Sequence, residues 1–141
     1  MTLSDSVNEF YFCLVLKNLR SMNRDRTSGG LTYNSFLYLE VIRHNKNCTP
    51  SYLAETLRVA RPAVTVKINE LAAKGLVIKT QGVSDKRVCF LKISPKAARI
   101  CKSFDASLAG AIKEVRKKFG KEEINACINM LDIIINYREE I

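Results

Sequence analysis

The chain has 141 residues, with 23 lysines and arginines against 14 aspartates and glutamates, a net charge of +9. A chain of this length can bury roughly 68 to 70 % of its unfolded surface, so a core needs neither disulfides nor a metal. Its longest apolar run, Phe10 to Leu16, falls far short of the ~20 residues of a membrane span. Met1 to Glu9 carries acids where a secretory leader would be basic, so neither a membrane partner nor export is expected.

The five cysteines, Cys13, Cys48, Cys89, Cys101 and Cys127, are widely spaced and form no C-x-x-C pair. They read as reduced thiols of a cytoplasmic protein, with no disulfide framework, metal site or cofactor expected. The charge is uneven along the chain: residues 1 to 57 sum to +1, residues 103 to 141 to −1, and residues 58 to 102, with eleven basic and two acidic residues, to +9. An excess confined to the middle third is the footprint of a phosphate-binding surface, where a merely soluble surface would spread it.

From Leu3 to Leu19 apolar residues recur at helical spacing, and from Phe10 to Leu16 they go all the way round, so this helix must be enclosed on more than one side. Asn23 to Gly30 reads as a loop. Thr32 caps a second helix that runs to about His44. Thr49 and Pro50, a capping hydroxyl and then a proline at the first helical position, start a third helix to Leu57, with Leu53, Ala54 and Leu57 inward. A turn over Arg58 to Ala60 leads to a fourth helix, which begins near Pro62 and ends at Lys74 with Gly75 as a left-handed cap. Two helices joined by so short a turn make a helix-turn-helix.

After Gly75 the period changes from 3.6 to 2. Leu76 to Gln81 and Arg87 to Ile93 predict strands, and Gly82 to Lys86 the tip of a hairpin, or wing. Ser94 and Pro95 repeat the cap-and-proline start of a long helix to about Phe119. Gly120 interrupts, and a last helix spans Lys121 to Arg138 with Ile124, Cys127, Ile128, Leu131, Ile134 and Ile135 on one broad face. The fold class is therefore mainly α with a small β-hairpin wing (α+β), a winged helix-turn-helix with helices at both ends. Those end helices are too apolar to stand alone, and a partner must cover them; a second copy of the chain, a homodimer, is expected.

At ~100° per residue the fourth helix puts Val64, Ile68 and Leu71 on one face and Pro62, Thr65, Val66 and Asn69 on the other. Small uncharged side chains suit a major groove, where Asn69 can hydrogen-bond adenine and Thr65 or Val66 can touch a thymine methyl. Arg58, Arg61 and Lys67 flank this face and can grip phosphates, aided by the helix N-terminal amides. The wing offers Lys79, Ser84, Lys86 and Arg87 to the adjacent minor groove. Asp85 can pair with Arg87 and shape the tip; taken alone, it reads as an ordinary turn aspartate.

The segments L-T-Y-N-S-F-L-Y-L-E-V-I (31 to 42), T-P-S-Y-L-A-E-T-L (49 to 57), R-P-A-V-T-V-K-I-N-E-L-A-A-K-G-L-V (61 to 77) and S-D-K-R (84 to 87), in this order and spacing, resemble the MarR family of winged-helix regulators. The resemblance implies a single winged-helix domain over 1 to 141: a DNA-binding lobe at 31 to 98 with a recognition helix at about 61 to 74 and a wing at about 77 to 93, and dimerisation helices at 1 to 22 and 99 to 141. It also implies a palindromic double-stranded DNA operator and a brace between Asp85 and Arg87. Lys79 and Thr80 stand where the family often has two arginines, and Ala97 where it often has glycine, which makes Lys86 or Arg87 the expected minor-groove residue.

Members of that family respond to a small aromatic or lipophilic effector, or to oxidation of a cysteine in the first helix. Cys13 is the corresponding candidate here. Reactive thiols need electropositive, accessible surroundings, and its neighbours are Phe12 and Leu14, so an inert thiol is the favoured reading. The function expected is a sequence-specific transcriptional regulator, a repressor; the alternative is a non-specific nucleic-acid-binding or chromosome-organising winged helix. No enzyme motif is present, and the single histidine, His44, sits at a helix end beside Arg43 and Lys46.

Overall fold

The computed structural model describes residues 1 to 24 and 31 to 138. Six helices and a two-stranded sheet follow in the order α1 (Leu3–Arg24), α2 (Tyr33–Arg43), α3 (Pro50–Leu57), α4 (Arg61–Ala73), β1 (Val77–Gln81), β2 (Cys89–Ile93), α5 (Pro95–Lys118) and α6 (Lys121–Asn136). The helix starts rest on the residues expected to cap them. Thr32 Oγ1 accepts from the Ser35 amide at 3.1 Å, Thr49 Oγ1 from the Tyr52 amide at 3.1 Å, and Ser94 Oγ from the Ala97 amide at 3.1 Å. At the first helix Thr2 and Asp5 exchange backbone-to-side-chain bonds, and these hold the Asp5 carboxyl below the ordinary aspartate range.

The end of α4 shows why a glycine follows it. The Leu76 amide donates to Leu71 O and the Gly75 amide to Ala72 O, while Gly75 turns to φ +71°. That pair of bonds is a Schellman closure, and it needs the left-handed backbone that glycine adopts without strain. Arg58 ends α3 the same way at φ 53° and is the one non-glycine residue with positive φ among those described. The strands pair antiparallel from Val77 with Ile93 to Gln81 with Cys89. Cys48 extends the sheet by a single bridge to Leu91, whose amide donates to Cys48 O at 2.8 Å.

Three boundaries differ from expectation by two residues or more. α1 continues through Asn23 and Arg24, which the loop signal had claimed; the rest of that signal, 25 to 30, lies outside the described residues. The second strand starts at Cys89 rather than Arg87, because the Gly82 amide donates to Val88 O and the Val88 amide to Asp85 O, which spends these residues on the tip. α6 stops at Asn136, two residues before Arg138, where Tyr137 takes an extended backbone.

The chain divides into two compact units, Met1–Lys102 and Ser103–Ile141, with the division inside α5. In the first unit Leu39, Leu53, Val64, Leu71, Leu76, Leu91 and Ala97 are fully buried. α1 falls in this unit. In the second, every described residue except Phe104 and Ile124 is exposed. No described helix is long and apolar enough to cross a membrane.

Candidate nucleic-acid interface

Burial sorts α4 as its periodicity predicts. Val64, Ile68 and Leu71 lie in the core, while Arg61, Pro62, Thr65, Val66 and Asn69 are exposed. Val66 is 69 % exposed, an apolar side chain left in water in the middle of a helix. The Thr65 hydroxyl donates back to Arg61 O at 3.2 Å, so its proton is spent within the helix and its methyl and lone pairs are what it can offer outward. No side chain caps the start of α4 at Ala60; Pro62 has no amide proton and the Ala63 and Val64 amides both donate to Ala60 O, so of the first turn the Arg61 amide is the one left open to an outside acceptor.

The cations around this face are not equivalent. Arg58 is exposed on its left-handed turn, and Arg61 donates through Nη1 to Ser51 Oγ, joining the first turns of α3 and α4. Lys67, expected among the phosphate grips, is only half-exposed. Its ammonium donates to the buried Ser35 hydroxyl at 3.2 Å and to Glu70 at 3.4 Å. Glu70 also accepts from Lys74 at 3.4 Å, and its carboxyl is held below the ordinary glutamate range, first by Lys67 and then by Lys74. In this arrangement Lys67 ties α4 to the start of α2. Nothing in the sequence pattern marked Ser35, whose role depends on a residue 32 positions away.

On the wing, Asp85 Oδ1 accepts from the Arg87 amide at 3.0 Å and from Arg87 Nε at 3.2 Å, and Oδ2 accepts from Arg87 Nη2 at 3.3 Å. These bonds hold the Asp85 carboxyl below the ordinary aspartate range. The Arg87 side chain stays 91 % exposed, so the brace fixes its base and leaves its guanidinium reachable. Gln81 Nε2 closes the tip further by donating to Lys86 O at 2.7 Å. Gly82 is required here, since a Cβ on it would lie 2.5 Å from Asp85 O. Ser84 and Lys86 are exposed, and Val83, which neither charge nor alternation singles out, is fully so at the tip. Lys79 points back from β1 to α4 and donates to Asn69 Oδ1.

Every cation of the middle third except Lys67 is thus exposed, while both of its acids, Glu70 and Asp85, are already bonded to basic neighbours. Residues 29 to 88, which span the helix-turn-helix and the wing tip, match the model of the MarR family. Over that stretch the chain is similar to the MarR family, and its winged-helix fold agrees with the likeness. It is 26 % identical over 110 residues to the HTH-type transcriptional regulator MhqR of Bacillus subtilis, covering 78 % of this chain and 76 % of that protein. Its fold is similar to that of Streptococcus pneumoniae FabT in complex with DNA, with a TM-score of 0.73 at 20 % identity over 94 % of this chain and 91 % of that one. It is also similar to a mutant MarR from E. coli complexed with operator DNA, with a TM-score of 0.55 at 22 % identity over 95 % and 99 %.

His44 caps the end of α2 and sits 3.3 Å from Glu40, with its ring mostly in solvent. Cys48 is buried and its thiol is pushed up to about 11 by desolvation, which keeps it protonated and unreactive. Cys13 is half-buried on α1. Among the described residues no three of His, Cys, Asp or Glu converge as a metal ion would require.

Proposed function

We propose that this chain is a homodimeric, cytoplasmic repressor of the MarR type that binds a palindromic operator, with α4 in the major groove and the wing in the minor groove beside it. Val66 carries the reading. A helix that only met phosphates would have no use for an exposed, uncharged strip of Pro62, Thr65, Val66 and Asn69, whereas base edges are read by such contacts. Arg58 and Arg61, with the Arg61 amide at the start of α4, take the phosphates, and Lys86 with Arg87 enters the minor groove, where the potential favours cations. Residues 31 to 98 act as the DNA-binding lobe of one domain, and α1 with residues 99 to 141 joins the two copies.

Two-fold symmetry sets the two recognition helices one DNA turn apart, roughly 34 to 36 Å. Two of the similar structures hold DNA, which supports this mode of docking. Release from the operator follows binding of a small aromatic or lipophilic effector. A half-buried Cys13 between Phe12 and Leu14 offers little support for release by oxidation.

Fluorescence anisotropy against DNA tiled around the protein's own coding region, at two salt concentrations, tests the proposal. One palindromic tile is expected to bind about 10³-fold or more tighter than random duplex, with a steep salt slope. Arg61→Ala should weaken every sequence and lower the slope by about 1, while Asn69→Ala relaxes preference at one base position. Uniform weak binding to all tiles would overturn the proposal in favour of a non-specific binder.

A further inference from the structure

We infer that Lys79 is a specificity-determining partner of Asn69, and that together they read a guanine where Asn69 alone would read an adenine. The inference rests on the major-groove docking of α4 proposed above. It starts from the pleat of β1. Lys79 shares a face with buried Val77 two residues earlier and pairs across the sheet with Leu91, which is fully buried. The lysine stem therefore leaves the strand on the side that faces the helices, and its ammonium reaches the exposed side of α4 at Asn69 Oδ1.

The chemistry of the two groups fixes the polarity of the contact. An ammonium has three donors and no acceptor, so only the amide oxygen can face it, and the Asn69 amide has one orientation. Its Nδ2 protons are left without a hydrogen-bond partner among the described residues. Bidentate reading of adenine asks Oδ1 to accept from the N6 amino group while Nδ2 donates to N7. With the ammonium on Oδ1, an incoming amino group would meet a positive charge at the atom meant to receive it. Guanine offers N7 and O6, both acceptors. Nδ2 of Asn69 can serve one and the remaining Lys79 protons the other, with nothing in the base edge opposing the charge. A lysine that only gripped phosphate would have no influence on which base is chosen.

Selection of binding sites from a random duplex library by the full-length protein, followed by sequencing, tests this with wild type, Lys79→Met, Asn69→Ala and the double variant. Both side chains are exposed, so neither substitution opens the core. Wild type is expected to choose guanine at the position that Asn69→Ala flattens. Lys79→Met should move that position toward adenine, changing the guanine-to-adenine ratio about tenfold. In the Asn69→Ala background Lys79→Met should leave the position flat. Unchanged base preference in Lys79→Met with uniformly weaker binding would overturn the pairing and make Lys79 a phosphate contact, as would adenine chosen by the wild type. A wild type that selects no consensus would overturn the regulator reading itself, and the pairing with it.

Discussion

The two compact units of the chain carry equally regular apolar patterns with opposite outcomes. In α4, Val64, Ile68 and Leu71 recur at helical spacing and all three are buried. In the second unit, Leu108, Ile112 and Val115 on α5 and Ile128, Leu131 and Ile135 on α6 recur just as regularly, and every one is exposed, Ile135 by 74 %. Periodicity states that a helix face must be covered. It does not state by which chain. The lobe closes its core from its own elements, whereas the terminal helices leave an apolar area that a soluble monomer rarely exposes.

The sharpest way to break this comparison is to charge the open face. Leu131→Asp with Ile135→Asp, one helical turn apart, should yield a monomer by light scattering and cost at least ~100-fold in operator affinity, because the second half-site is no longer held on the same particle. The lobe should stay folded by circular dichroism, since neither residue belongs to its core. A variant that remains dimeric would show that α6 is covered in another way. The matching change in the closed core is Leu71→Ala, at a fully buried position. It should lower unfolding free energy by about 2 to 5 kcal/mol in urea, without altering the mass of the folded particle. A loss below about 1 kcal/mol would mean that the lobe tolerates a void there and is less tightly closed than its burial implies.

The same contrast explains what could be read from the chain beforehand. Local signals were dependable: Thr32, Thr49 and Ser94 cap the helices they were expected to cap, Gly75 takes its left-handed turn, and the inward face of α4 follows from 100° geometry alone. Strand onset at the wing was misplaced by two residues because hydrogen bonds across the tip, not side-chain alternation, decide where pairing begins. Among the site residues, position was legible and engagement was not. Lys67, Arg61 and Lys79 are all basic and near α4. Only the folded chain brings Ser35 to the first, Ser51 to the second and Asn69 to the third. Contacts between residues 10 or 32 positions apart leave no periodic trace, so the sequence could not say which cations were already committed.

The smallest expected effect concerns the wing tip, where the comparison narrows to a single carboxylate. Asp85 is held below the ordinary aspartate range first by the Arg87 side chain and then by its amide. A carboxyl whose folded value is depressed contributes stability that is complete above its unfolded value and is lost as pH falls through the folded one. The brace is therefore at full strength at neutral pH, and operator binding between pH 6 and 8 should show no titration from it. Following the Asp85 carboxyl carbon by NMR should give a midpoint below that of an unstructured aspartate. Arg87→Ala should move the midpoint back up, because it removes both side-chain bonds and leaves only the amide. A wild-type midpoint at the ordinary value, or one that Arg87→Ala leaves in place, would reduce Asp85 to a plain turn residue and detach the shape of the tip from the charge of its arginine.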